Sequence, residues 1–119
     1  MKESIEGIFL SLVEASKTTL IKKLRIIERT KSILKARLYF SEDIFIQIYA
    51  NIKRPKKSYA LVINDTRIFG KDFIFGAWHA HQFEAPLIHD DSIKSKKPVT
   101  LIEFVEEATH ILSEKMKVI

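Results

Sequence analysis

The stretch "SILKARLYFSEDIFIQIYANI", residues 32–52, decides the fold, because its apolar residues recur at every second position. Leu34, Ala36, Leu38 and Phe40 fall on one parity, and Lys35, Arg37 and Tyr39 on the other. After "SED" (41–43), Ile44, Ile46, Ile48, Ala50 and Ile52 share one face, opposite Phe45, Gln47, Tyr49 and Asn51. A period of two is that of a strand with one face turned inward. A short polar turn between two such strands makes an antiparallel hairpin. The isoleucine face is expected to be the buried one, since a slip of one residue would expose all of it.

Working outward, "KRPKK" (53–57) is the next connection, with Pro55 unable to donate to a strand ladder. "SYALVI" (58–63) and "RIFGKDFIF" (67–75) flank "NDT" (64–66), a further hairpin turn. Gly70 inside the last strand predicts a bulge or a close backbone approach. "LIKKLRIIERT" (20–30) reads two ways. Leu20, Leu24 and Ile27 suit a helix, while the preceding threonines and Ile21, Ile26 and Ile27 suit a strand, the preferred reading.

Helices bracket this region. Ile5, Ile8, Phe9, Leu12 and Val13 recur at helical spacing, and "KTT" (17–19) ends that helix. At the other end "TLIE" (100–103) is a capping box, followed by a stripe of Leu101, Phe104, Val105, Ala108, Ile111 and Leu112. The expectation is an α+β two-layer sandwich: an antiparallel meander of four to five strands, with the N-terminal and C-terminal helices packed on one face.

Composition narrows the function classes. The 119 residues fit a single domain, residues 1–119, able to bury a core without staples. No cysteine is present, which removes disulfides and thiolate chemistry and fits a cytoplasmic setting. Glu3, Glu6 and Glu14 among the first apolar residues argue against a signal peptide, and no apolar run approaches the roughly 20 residues of a membrane span. A net charge of +5 suits an anionic partner such as nucleic acid. Three glycines leave no Gly-rich phosphate loop, and no nucleophile elbow is present.

Two constellations carry chemistry. "GAWHAHQFEAPLIHDD" (76–91) holds His79, His81 and His89 with Asp90, and Trp78 beside them. In an extended chain residues 79 and 81 project to one side. Such a group can ligate a divalent ion, or serve as a general base and acid at a ribose hydroxyl and phosphodiester. The plainer reading is a loop with polar imidazoles, anchored by Trp78. No metal and no cofactor is expected, because the H-x-H pair lacks evident third and fourth ligands. The second constellation is Lys35 and Arg37 on a strand with Tyr39, and Lys53, Arg54, Lys56 and Lys57 at one turn. These can track a phosphate backbone, with an aromatic for stacking. Here the plainer reading is stronger, since lysines at edges and turns commonly guard against edge-to-edge association. Arg67, Lys71 and Asp72 are read as exposed strand charges, and His110 as a solvated residue on the polar side of the last helix.

The meander "KARLYFSEDIFIQIYANIKRPKKSYALVI", then "FIFGAWHAHQFEAPLIHD", then "KPVTLIEFVEEATHIL", resembles the TumE-type toxins of toxin–antitoxin pairs over most of the chain. Members similarly follow their strands with a His-rich segment and a capped helix. "GAW" stands where the family has an Asp-Asn pair, and H-x-H with an isolated His89 replaces its adjacent histidines. The resemblance implies a toxin-like component acting on RNA, with His79, His81 and His89 in the signature segment and an antitoxin protein as partner. A non-catalytic module that binds protein or nucleic acid, a homodimer through the sheet among its forms, is the alternative.

Overall fold

The structure, a computed structural model, describes residues 3–74, 76–81 and 98–119, with residue 81 described by its backbone. Helix α1 (Ile5–Ser16) leads into strands β1 (Lys23–Arg29), β2 (Ile33–Ser41), β3 (Ile44–Asn51), β4 (Lys56–Ile63), β5 (Thr66–Ile74) and β6 (Ala77–His81). Helix α2 (Leu101–His110) follows and runs into a π-helical turn, Ile111–Lys115. The strands form one sheet in sequential order, each antiparallel to the next. The α+β class and the meander are those expected. Among the described residues the sheet has six strands, however, rather than four or five.

β1 bears out the strand reading preferred for residues 20–30, and β6 is the strand beyond those expected. β1 lies in the ambiguous 20–30 segment, and a register shift between Ile26 and Glu28 interrupts its alternation. The bulge leaves Ile26 and Ile27 exposed, so neither a helical nor a period-two pattern reads cleanly there. β6 is five residues long and returns along β5 through Gly76, whose φ of 75° suits glycine.

The turns follow local chemistry. Asn64 and Asp65 both have positive φ (48° and 64°), the signature of a two-residue hairpin turn whose twist matches its strands. Asn51 Oδ1 accepts from the amides of Lys53 and Arg54 (3.0 and 3.1 Å), shaping the turn that presents the basic run. Thr30 Oγ1 accepts from the amides of Ser32 and Ile33, closing the β1–β2 connection.

One parity of the sheet faces the helices. Leu34, Ala36 and Leu38 of β2, Ile46 and Ile48 of β3, Tyr59 and Leu61 of β4, and Phe69 of β5 join Leu12, Phe104, Val105 and Leu112 in one core. Ile44 packs partly buried at its margin. α1 packs on β1 and β2, α2 on β4, and the helices touch each other. Phe104 anchors this layer, stacked on Phe69 at 5.2 Å and tilted against Tyr59 at 5.6 Å. Full burial of side chains of this size contributes roughly 1.5–3 kcal/mol each. The capping box at the start of α2 is complete: Thr100 Oγ1 accepts from the Glu103 amide (3.1 Å), and Glu103 Oε1 accepts from the Thr100 amide (2.9 Å). Among the described residues no helix is long and apolar enough to cross a membrane.

Candidate nucleic-acid interface

Among the described residues no helix lies over the other parity of the sheet, and its composition is different. Cross-strand registers align Lys23 with Tyr39, Arg25 with Arg37, and Glu28 with Lys35. They continue through Tyr39 with Phe45, Arg37 with Gln47, and Lys35 with Tyr49. Tyr49 then meets Ser58, and Ser58 meets Asp72. Antiparallel partners share a face, so these residues form one continuous surface.

Cations and aromatic rings interleave across it. The Arg37 guanidinium lies over the Phe45 ring at 4.4 Å, donating from Nε to Gln47 Oε1 (2.8 Å) and from Nη1 to the Tyr39 hydroxyl (3.3 Å). Tyr39 and Phe45 pack with ring centroids 5.3 Å apart. Lys35 and Lys56 both reach the Tyr49 ring, each at 5.8 Å. The hydrogen bond from Arg37, seconded by Arg25, pulls the Tyr39 hydroxyl below the usual tyrosine range, a sign of positive potential at that corner.

Toward β5 the face sinks into a shallow dish lined by Lys35, Tyr49, Lys56, Ser58, Arg67 and Asp72. Asp72 Oδ1 accepts from Arg67 Nη2 (3.0 Å) and Ser58 Oγ (2.7 Å). The Arg67 guanidinium lies against Gly70, where a β-carbon would overlap it. This is the close approach that Gly70 predicts, beside a register shift at Leu61 and Val62. Arg67 Nε is buried there with no acceptor among the described residues. The exposed-charge reading of Lys71 and Asp72 is overturned: each is only 8% exposed. Lys71 belongs to the helix-facing parity, opposite Tyr59, and Asp72 to the open one.

The proposed site residues are distributed as follows. Lys35, Arg37 and Lys56 lie on the open face. Lys53 and Arg54 are exposed in the β3–β4 turn. Lys57 belongs to the opposite parity, where it pairs with Glu3. His79, half-buried on β6, stands opposite Asp72 in the β5–β6 register. His81 occupies the β6 position opposite Gly70. His89 and Asp90 lie outside the described residues. Trp78 packs against Tyr59 and Phe73 (6.1 and 5.4 Å) and joins the core. His110 is exposed. Among the described residues no group of three His, Asp or Glu side chains is placed to hold a metal ion.

Edge protection does not account for this face. Lys35 and Arg37 stand on the second of six strands and Lys56 on the fourth, all interior to the sheet. Of the open-face cations named above, Lys23 and Arg25 stand on the edge strand β1. Tyr49, Gln47 and Phe45 were visible as outward residues of β3, and their parity with Arg37 was the signal that joins them. Arg67 and Ser58 carried no such signal, because a register shift separates their numbering from that of Asp72.

Compared with protein-family models, curated proteins and solved structures, the chain matches none.

Proposed function

We propose that this protein is the toxin-like component of a toxin–antitoxin pair and acts on RNA as a metal-independent endonuclease. The observation that carries the reading is the position of His79, opposite Asp72, at the border of a face rich in lysine, arginine and tyrosine. Asp72, one strand from His79, also lines the cationic dish in which Lys35, Lys56 and Arg67 would receive a phosphate, so the dish begins beside the histidine strand. In the reaction one of His79 and His81 takes the proton of a ribose 2′-hydroxyl. The freed oxygen attacks the adjacent phosphorus, the bond to the 5′-oxygen breaks, and the other histidine protonates that leaving oxygen. The product is a cyclic phosphate, and the cations stabilise the charge that develops on the phosphoryl oxygens. His89 and Asp90 would orient an imidazole or substitute for one. The resemblance to TumE-type toxins supports an antitoxin protein as partner and the cytoplasm as the setting.

A non-catalytic binding module is the second reading, favoured by one observation. The Tyr39, Phe45 and Arg37 cluster lies on β2 and β3, four and three strands from β6, so much of the face is remote from the histidines. Induced expression with and without the neighbouring gene, followed by RNA integrity analysis, separates the two. Growth arrest with cleaved RNA, lost in His79→Ala, supports the endonuclease. Normal growth with intact RNA, at confirmed expression and without the neighbour, leaves the module.

A further inference from the structure

We infer that the open face takes a single-stranded RNA with its bases splayed apart, using Tyr39 and Tyr49 as separate stacking platforms. This rests on the proposal that the chain acts on RNA. Both rings are half-buried, and both are held by their hydroxyls: Tyr39 accepts from Arg37, and Tyr49 accepts from Asn51 Nδ2 (3.3 Å). A ring fixed in this way loses little freedom when a base stacks on it. Phe45, only 7% exposed and covered by Arg37, is the floor of the first platform rather than a platform itself.

The spacing selects the ligand. Tyr49 is paired across the strands with Lys35, which lies four residues from Tyr39 along β2. At about 3.3 Å per residue the two platforms stand roughly 13 Å apart. Nucleotides stacked in a helix follow one another at about 3.4 Å, so neighbouring stacked bases cannot occupy both rings. A duplex also keeps its base faces against one another and offers a sheet only phosphates, sugars and groove edges. An unstacked single strand can put separated bases on the two tyrosines while its intervening phosphates meet Arg37 and Lys35. Stacking of this kind tolerates any base, since every base has a π-face.

The test is fluorescence anisotropy with a labelled oligoribonucleotide, alone and annealed to its complement, using the full chain and Tyr39→Ala, Tyr49→Ala, Tyr49→Phe and Lys35→Gln. The single strand should bind at least about tenfold tighter than the duplex. Each alanine substitution should weaken the single strand by roughly 5- to 150-fold, the range for loss of one stacked base. Tyr49→Phe, which keeps the π-face, should stay close to wild type and so separates stacking from hydroxyl loss. Lys35→Gln should weaken both RNA forms. Duplex binding as tight as the single strand, with both alanine variants silent and Lys35→Gln impaired, overturns the inference and leaves RNA recognition standing. Binding of neither form by correctly folded protein overturns both.

Discussion

On β2, Leu34, Ala36 and Leu38 are fully buried beneath the helices, while Lys35, Arg37 and Tyr39, one residue away in each case, remain partly open to solvent. β3 repeats the contrast, with Ile46 and Ile48 against Gln47 and Tyr49. The same two strands therefore serve two chemistries that scarcely touch. The inward set is held by apolar burial and sets the stability of the domain. The outward set carries little of that burden, and so is free to specify a ligand. Substitutions on the two faces should accordingly separate into those that unfold the protein and those that disarm it.

The largest effect is expected on the helix side. Phe104 is fully buried between Phe69 and Tyr59, and Phe104→Ala should cost about 3–5 kcal/mol in denaturant unfolding. A cost under about 1 kcal/mol would mean that the helices are not anchored where the core implies.

Gly70→Ala probes the place where the two faces are most nearly coupled. The new methyl group displaces the Arg67 guanidinium and breaks the Arg67–Asp72 ion pair, at an expected cost of about 1–3 kcal/mol. Because both changes act through one contact, Gly70→Ala with Arg67→Ala should cost clearly less than the sum of the two alone. Strict additivity in thermal or denaturant unfolding would contradict that coupling.

The tyrosines of the two faces should titrate in opposite directions. Burial pushes the Tyr59 phenol up to about 12, while Arg37 pulls Tyr39 down. Tyr59 stays protonated in the folded protein above its ordinary value of 10.0, whereas the unfolded chain releases that proton. Its contribution to stability is therefore present below pH 10 and is lost as pH rises toward 12. Tyr59→Phe should flatten the alkaline fall in stability, and Arg37→Ala should raise the titration of Tyr39 as followed by NMR. An unchanged Tyr39 titration in the arginine variant would remove the evidence for positive potential at that corner.

How much of this was legible in the sequence differs between the faces. Period-two alternation from Leu34 to Ile52, bracketed by helical stripes and a capping box, reflects burial of whole rows of side chains, so the core and the turns could be read directly. Residues 20–30 read as a strand only by preference over a helix, since the bulge at Ile27 adds one residue and breaks the alternation by which a strand is recognised. β6 did carry the alternation, with Trp78 and Ala80 against Ala77, His79 and His81, but its imidazoles invite a chemical reading before a structural one. Cross-strand pairings away from the turns were the least legible. That Asp72 would meet Ser58, Arg67 and the His79 position depends on two hairpin registers, and no local pattern records those.

The most direct test of the central claim, that the open face is the RNA surface, compares two adjacent lysines. Lys56 reaches the Tyr49 ring on the open face, whereas Lys57 pairs with Glu3 on the helix side. The measurement is the salt dependence of single-stranded RNA affinity for wild type, Lys56→Gln and Lys57→Gln. Removing one cation that neutralises a phosphate should flatten the slope of log affinity against log salt by about 0.7. The account predicts that Lys56→Gln weakens binding and flattens the slope by this amount, while Lys57→Gln leaves both at wild-type values. Equal weakening by the two substitutions, or weakening by Lys57→Gln alone, would contradict it.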